Sequence, residues 1–406
     1  KKRCVFGPGS FSFSETTSCR LPSFRCIGSR AFPGLPIASG AGGADAAAGG
    51  MPAAVIELSG LDDSTILALV QHAGALGLDL LTGEGWAIVA GSESRLSALA
   101  RPWVVPPPLA EVAEAVGLRL LPDPPEVWVT RTGSIALDRP VIAGILNLTP
   151  DSFSDGGRYL SPDAALAQAD ILVSEGAAIL DLGGESTRPG SEPVPEAEEL
   201  GRVLPVVEAL TRRHPGIPVS VDTVKAAEAR AALDAGAAIV NDVSAFRLDP
   251  AMARVVAATG AGVILMHSRG SVSTMARLDH AEYAPDVVTG VRDELAAALE
   301  RALEAGIAAE RVVLDPGFGF AKTAEQNLAL LDGLEALRPL GRALLVGPSR
   351  KRFLGSVTGR EVAARDVATA AACVMAWERG ARLFRVHQVG VTRDALAVAH
   401  AVRGAG

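Results

Sequence analysis

One short pattern recurs five times between residues 176 and 387 and constrains the fold more than any other feature. In each case a glycine follows a stretch with helical character, and a short apolar run comes directly after it. The five glycines are Gly176, Gly236, Gly260, Gly306 and Gly380. Glycine readily adopts the left-handed conformation that ends many helices, and short continuous apolar runs are typical of parallel strands buried on both faces. The pattern therefore predicts alternating helices and parallel strands.

Three further apolar runs bring the number of predicted strands to eight. They span residues 141–148, 217–222 and 342–347, and a segment with helical character follows each of the eight runs. Eight parallel strands that alternate with helices form a (β/α)8 barrel, the TIM barrel, of about 250 residues. The sequence therefore predicts this α/β fold, in which functional residues lie at the carboxyl ends of the strands.

The 406 residues are more than one barrel requires, and the N-terminal part needs its own interpretation. Residues 51–121 contain strand-like and helix-like segments and predict a small α+β domain. The proline-rich stretch 122–126 is predicted to link this domain to the barrel, which takes residues 127–406. Within the barrel domain, segment 127–137 alternates around Gly133 and predicts a β-hairpin that closes the bottom of the barrel.

The first fifty residues differ from the rest in composition. The first thirty carry six basic residues and one acidic residue, and a Gly/Ala-rich stretch follows to Gly50. Two interpretations stay open. The segment resembles an organelle transit peptide, or it is upstream sequence translated ahead of the natural start, because Met51 is the first methionine. Both interpretations predict a disordered extension over residues 1–50.

Charge and cysteine content exclude several classes of function. The net charge of -8 argues against nucleic acid or an anionic membrane as the main partner. No apolar stretch reaches the ~18 residues that a membrane span needs. The four cysteines form no C-x-x-C pair, which argues against a zinc site and predicts a reduced, cytoplasmic setting.

Polar or charged side chains stand at the end of every predicted strand. A residue that only caps a turn would explain one such end, whereas eight ends that converge on one rim are typical of an active site. In chain order these residues are Asn147, Asp181, Asp222, Asn241 with Asp242, His267, Asp315, Ser349-Arg350-Lys351, and Arg385 with His387.

Two loops above the strand ends indicate an anionic substrate. The loop 147–157 is rich in Pro, Asp, Ser and Gly, and begins at Asn147. An amide oxygen fixed on a strand suits Mg²⁺ that carries a polyphosphate, although Asn147 would also serve as a simple turn cap. The loop 181–190 offers two glycines for close backbone approach, the hydroxyl of Thr187 and the planar cation of Arg188.

A second group of side chains suits a small polar ring. Carboxylate and amide groups at Asp222, Asn241 and Asp315 match a ring with several N–H donors, and Lys351 would donate to a ring carbonyl. The segments 349–351 and 385–387 bring cations to the same rim, as an acidic substrate with a phosphate group requires.

Eight motifs together resemble the dihydropteroate synthase family. They are GILNLTPDSFSDGG (144–157), DLGGESTRPG (181–190), SVDT (220–223), NDVS (241–244), LMHSRG (265–270), DPGFGFAKT (315–323), SRKRFLG (349–355) and RVH (385–387). The resemblance covers about residues 127–403, and the combination of the first two motifs is highly specific.

The resemblance implies condensation of 6-hydroxymethyl-7,8-dihydropterin diphosphate with p-aminobenzoate, which yields 7,8-dihydropteroate and diphosphate. It also implies Mg²⁺ as cofactor and a homodimer. The implied pterin-binding residues are Asp222, Asn241, Asp315 and Lys351. The implied diphosphate-binding residues are Asn147, acting through Mg²⁺, Arg385 and His387. The implied p-aminobenzoate-binding residues are Thr187, Arg188, Pro189 and Ser349. The implied catalytic residues are Phe153, Asp155, Arg188 and Lys351.

One position departs from the family pattern, and two alternative functions remain. The family usually has R-V-H-D where this chain has Gln388 after His387. Gln388 keeps a hydrogen-bonding oxygen but lacks the charge that would raise the pKa of His387. A catalytically weak pterin-binding paralogue is one alternative, and a pterin-binding methyltransferase is the other. The diphosphate-type loop TPDSFSDGG (149–157) and the segment SRK (349–351) argue against the methyltransferase.

Overall fold

The computed structural model describes residues 24–26, 54–100, 105–113, 116, 125–148, 162–185 and 195–404. These residues fall into two compact units, divided between Leu120 and Leu121. Among the helices of these ranges, none combines the length and the apolar character that a membrane crossing requires.

In its described residues, the first unit includes a four-stranded antiparallel sheet and the helices named below. The strands are β1 (Phe24–Cys26), β2 (Ala54–Ser59), β3 (Asp79–Gly83) and β4 (Trp86–Gly91), and their order in the sheet is β1-β2-β4-β3. The helices are α1 (Asp63–Leu76) and α2 (Glu93–Leu99). Apolar side chains of both helices and the sheet, among them Leu58, Leu69 and Leu96, share one core.

Two strands of this unit differ from the sequence interpretation. Three residues of the extension form β1, which pairs with β2; the rest of residues 1–50 lies outside the described residues, and the disorder expected there stays a prediction. The strand β3 was not predicted, because it lies at the edge of the sheet. Its exposure does not alternate strictly, so it lacks the period-two pattern of a half-buried strand.

The second unit begins with the predicted hairpin, formed by β5 (Val127–Val129) and β6 (Ser134–Ala136). Its buried Trp128 donates from Nε1 to the carbonyl of Arg311, at 2.9 Å. The backbone N–H of Arg131 reaches the carbonyl of Ala238. Both carbonyls belong to residues that lead into barrel strands, so the prediction that the hairpin closes the bottom of the barrel is confirmed.

Eight parallel strands close into the predicted barrel. They are β7 (Val141–Asn147), β8 (Ile179–Gly183), β9 (Val219–Asp222), β10 (Ile239–Asp242), β11 (Gly262–Met266), β12 (Val312–Asp315), β13 (Ala343–Val346) and β14 (Leu383–Val386). Each strand pairs with the next along the chain, and β14 pairs with β7. All the polar strand ends therefore face the same opening.

A helix follows every barrel strand, as the sequence predicted. The helices are α3 (Pro162–Ser174), α4 (Glu196–Arg213), α5 (Ala226–Asp234), α6 (Ala251–Thr259), α7 (Val287–Glu304), α8 (Ala324–Asp332), α9 (Arg352–Thr358), α10 (Asp366–Glu378) and α11 (Val389–Gly404). Their apolar faces and the outward faces of the strands bury the main core. A smaller core fills the lower interior of the barrel around Trp128.

The local signals that placed these elements are confirmed. The five helix-ending glycines all have positive φ, between 65° and 113°. Thr323 and Gln326 form the expected capping box at the start of α8, because each side chain accepts a hydrogen bond from the backbone N–H of the other.

Candidate active site

The carboxyl end of the barrel brings together eight of the residues predicted for the site: Asn147, Asp222, Asn241, Asp315, Ser349, Lys351, Arg385 and His387. The other predicted residues are Phe153, Asp155, Thr187, Arg188 and Pro189, which lie outside the described residues. Their roles stay predictions.

The guanidinium of Arg385 is bound by two carboxylates of neighbouring strands. Its Nε lies 2.5 Å from Oδ2 of Asp181, and its Nη2 lies 2.8 Å from Oδ2 of Asp222. Asn241 donates from Nδ2 to the same Asp181 carboxylate, at 3.3 Å. Burial alone would lower the pKa of Arg385, but the charges of Asp181 and Asp222 outweigh it and raise that pKa. Arg385 is therefore a fixed cation.

Asp181 is a site residue to which the sequence interpretation gave no separate role, although it recognised Asp181 as a strand end. The residue is buried, and its carboxylate orients both Arg385 and Asn241. The sequence signal for this role was a carboxylate in one predicted strand, Asp181, together with an arginine in another, Arg385.

The carboxyl group of Asp222 is unusually basic. Burial raises its pKa to about 7, the charge of Arg385 opposes that shift, and the nearby Asp181 adds to it. With 16% of its side chain exposed, Asp222 stays open to a ligand. Such a group takes up or gives up a proton near neutrality, which is typical of a functional site.

Asp315 and Lys351 form the other side of the site. Asp315 accepts a hydrogen bond from the backbone N–H of Gly317 at 2.7 Å, and burial raises its pKa to about 6. The ammonium of Lys351 lies 3.9 Å from the centre of the Phe320 ring. Burial and the charge of Arg385 lower the pKa of Lys351 to about 8, against the attraction of Asp315 and Asp222.

Asn147 and Asp222 direct oxygen atoms at the space above one glycine. A Cβ atom added to Gly183 would lie 3.7 Å from Oδ1 of Asn147 and 3.9 Å from Oδ2 of Asp222. A side chain at position 183 would therefore crowd this gap. Among the residues that the structure describes, no group of three or more His, Cys, Asp or Glu side chains could hold a metal by itself.

Ser349 and His387 form a pair beside the site. The hydroxyl of Ser349 lies 2.9 Å from Nδ1 of His387, and it also accepts from the backbone N–H of His387 at 3.1 Å. Arg350, which lies between Ser349 and Lys351 in the sequence, makes two hydrogen bonds to Asp366, at 2.7 and 2.9 Å. The carboxylate of Asp366 therefore balances the charge of Arg350. Of the segment 349–351, Lys351 is the residue whose cation acts on Asp315.

Comparison with known proteins identifies the family of this chain. A family profile described as pterin binding enzyme matches residues 143–387. Dihydropteroate synthase of Mycobacterium leprae (strain TN) is 47% identical over 271 residues, which are 65% of this chain and 94% of that protein. The chain belongs to the dihydropteroate synthase family of pterin-binding enzymes.

Solved structures of this family superpose on the chain. The crystal structure of Burkholderia cenocepacia dihydropteroate synthase complexed with 7,8-dihydropteroate has a TM-score of 0.62 and 45% identity, and covers 70% of this chain and 98% of that one. Xanthomonas albilineans dihydropteroate synthase with 4-aminobenzoic acid has a TM-score of 0.62 and 46% identity, and covers 66% of this chain and 95% of that one.

Proposed function

We propose that this protein is a dihydropteroate synthase, which joins 6-hydroxymethyl-7,8-dihydropterin diphosphate to p-aminobenzoate. The observation that carries the proposal is the set of Asp222, Asn241, Asp315 and Lys351 around one opening, in a chain 45% identical to a structure complexed with 7,8-dihydropteroate. The reaction breaks the carbon–oxygen bond to diphosphate and forms a carbon–nitrogen bond to the amine. The proton lost by the amine leaves with the diphosphate.

The pterin ring would lie between the carboxyl groups of Asp222 and Asp315. Ionised Asp315 and Asp222 accept hydrogen bonds from ring N–H donors, and the ammonium of Lys351 donates to the ring carbonyl. Asn241 adds an amide that both donates and accepts. Because these groups are largely removed from water, each mismatch with a wrong ring would be costly, which gives the site its selectivity.

The diphosphate would lie toward Asn147, Arg385 and His387. One amide oxygen near a carboxylate is a small donor set, and it suits Mg²⁺, which binds few protein ligands when substrate phosphates supply the others. Asn147 would hold this ion, and the ion would supply positive charge to the diphosphate group. The fixed cation of Arg385 and the His387 imidazole would bind diphosphate oxygens directly.

The chemical step is proposed to be dissociative. The carboxylates of Asp222 and Asp315 stabilise positive charge that develops on the pterin methylene as diphosphate departs. A neutral aromatic amine then attacks, so the step needs no strong base. In this proposal Phe153, Asp155, Thr187, Arg188 and Pro189 belong to loops that cover the reacting centre and exclude water, and Ser349 contacts p-aminobenzoate.

We also propose a cytoplasmic homodimer. Helices α9, α10 and α11 carry six exposed large apolar side chains, and a second copy of the chain would cover them: Val357, Val367, Met375, Val391, Val398 and Val402. Sedimentation equilibrium checks the oligomeric state, and a monomer at micromolar concentration would contradict it. In support of the cytoplasmic setting, Cys373 is free and buried; cell fractionation tests the location.

Diphosphate release with and without p-aminobenzoate tests the proposed function. A dihydropteroate synthase releases diphosphate in a ratio of one to one with dihydropteroate, and release depends on p-aminobenzoate. Pterin binding without any release would instead identify a catalytically weak paralogue. Methyl transfer from a methylated pterin, with no use of the diphosphate, would identify a methyltransferase.

A further inference from the structure

Lys322, in the turn between β12 and α8, is among the most deeply buried charged residues of the barrel, with 2% of its surface exposed. Its Nζ lies 3.0 Å from each of three acceptors, which are Nδ1 of His267 and the carbonyls of Gly317 and Phe320. An ammonium group has three N–H donors. Every donor of Lys322 therefore has an acceptor, and all three come from the segments that follow β11 and β12.

The two carbonyls belong to a turn, residues 316–321, that has little freedom to move. Gly317 has a φ of +70°, and a Cβ atom there would lie 2.0 Å from the carbonyl oxygen of His267. The backbone of the turn is thus packed directly against the end of β11. Because Lys322 bonds to the carbonyls of both Gly317 and Phe320, it fixes the turn at two points three residues apart.

This turn contacts two residues of the proposed pterin site. The backbone N–H of Gly317 holds the carboxylate of Asp315. The ring of Phe320 lies beneath the ammonium of Lys351, and a Cβ atom at Gly319 would lie 2.8 Å from Cδ of Lys351. A shift of the turn would therefore displace both a carboxylate and an ammonium that face the ring.

His267 connects this arrangement to helix α7. When Lys322 is an ammonium it only donates, so Nδ1 of His267 then accepts and the ring proton is assigned to Nε2, which lies 3.1 Å from Oε2 of Glu294. Burial and the charge of Lys322 lower the pKa of His267 to about 4, so its ring is neutral at pH 7. A neutral imidazole thus separates the cation from the carboxylate.

We propose that Lys322 is a positioning residue for pterin recognition, which holds turn 316–321 so that Asp315 and Lys351 meet the ring. The inference rests on the proposed function, because it takes those two residues as pterin contacts. Lys322 itself does not touch the substrate in this proposal. Its effect reaches the pterin through Gly317 and Phe320.

Lys322→Met is the first test, since methionine has a similar length and no donor. Burial lowers the pKa of Lys322 to about 7, against the attraction of Asp315 and Glu294, so a neutral side chain of this shape is expected to leave the barrel folded. We expect the Kd for the pterin diphosphate to rise about 10- to 100-fold, with the KM for p-aminobenzoate within about threefold, because the turn supports only the pterin contacts. Unchanged pterin affinity, or an equal loss for both substrates, would overturn the proposal.

A double-mutant cycle with Lys351→Met shows whether Lys322 acts through the site. If it does, Lys322→Met weakens pterin binding less in the Lys351→Met background than in the wild type, because one of its two targets is already lost. Fully additive losses would mean that Lys322 acts elsewhere. The wild-type protein is measured first: if it fails to bind the pterin, the proposed function fails, and not merely the role of Lys322.

His267 supplies a matched pair of variants should Lys322→Met not fold. In His267→Asn the amide oxygen can replace Nδ1 as the acceptor for Lys322, whereas His267→Leu removes the acceptor. We expect His267→Asn to keep the pterin Kd within about threefold of wild type and His267→Leu to lose about tenfold. Equal affinities for the two variants, at equal urea unfolding midpoints, would refute the positioning role.

Discussion

Replacing Asp315 by asparagine should weaken pterin binding while it stabilises the free protein. The carboxylate is 4% exposed and already accepts the N–H of Gly317, so its remaining lone pairs are available to ring N–H donors. An asparagine at this position would place its NH₂ group, a hydrogen-bond donor, against an N–H donor of the pterin ring. Loss of a charge-assisted hydrogen bond together with a buried mismatch is expected to cost about 2–4 kcal/mol, or roughly 30- to 1,000-fold in Kd.

The stability of the free protein should change in the opposite direction. Burial raises the pKa of Asp315 from 3.8 to about 6. A carboxyl group with a raised folded-state pKa contributes stability that is fully present below about pH 4 and is lost as the pH rises through about 6. At pH 7 the ionised group therefore costs up to about 3 kcal/mol. Asparagine has no charge to bury, so the urea midpoint should rise.

Calorimetry with the pterin diphosphate, together with urea unfolding from pH 5 to 8, measures both effects. Pterin affinity of the wild type should fall as the pH drops through about 6. The ratio of wild-type to variant affinity should shrink in the same range. This change in the ratio distinguishes the titration of Asp315 from that of Asp222, because Asp222 is present in both proteins. Asp234→Asn is a matched control on the exposed end of α5, where it should change neither quantity. Pterin affinity of Asp315→Asn within threefold of wild type would refute the reasoning.

Two further predictions concern the diphosphate side of the site. Removal of Mg²⁺ should weaken binding of the pterin diphosphate, and Asn147→Ala should reduce this effect of the metal; a variant that responds to Mg²⁺ like the wild type would identify Asn147 as a turn cap. Gln388→Asp should raise kcat/KM for the pterin diphosphate by less than about tenfold, or ~1.4 kcal/mol, because Ser349 already orients His387. It should also stabilise α11 by about 0.5–1 kcal/mol, since aspartate is the better residue directly before a helix. Kinetics across roughly pH 6–9 and the unfolding midpoint check both expectations, and a loss of activity would contradict them.

The barrel was predictable because its signals are local and repeat. A glycine that ends a helix needs only its own φ, and the capping box of Thr323 and Gln326 involves residues three apart. A continuous apolar run reports burial on both faces without reference to a partner strand. The edge strand β3 was not predicted because it lacks such a local signal. It is exposed along much of its length, and its buried and exposed residues do not alternate regularly.

The site was predictable as a set of residue types and not as a set of contacts. A parallel barrel collects the carboxyl ends of its strands at one opening, so strand-end polar residues such as Asp222 and Asp315 had to converge. The sequence did not show which of these strand-end residues contact one another. Arg385 bonds to Asp181 and Asp222, which precede it by 204 and 163 residues, and only closure of the barrel brings the three side chains together.

The sequence by itself determined the order of helices and strands, the residues at the strand ends, and the family motifs. Tertiary structure alone decided the protonation behaviour of the site, because a pKa depends on burial and on charges supplied by other strands. The basic carboxyl group of Asp222 is an example. Lys322 is another, since three acceptors from two separate segments define its role, and hydrogen bonds of that kind form only after the strands have packed.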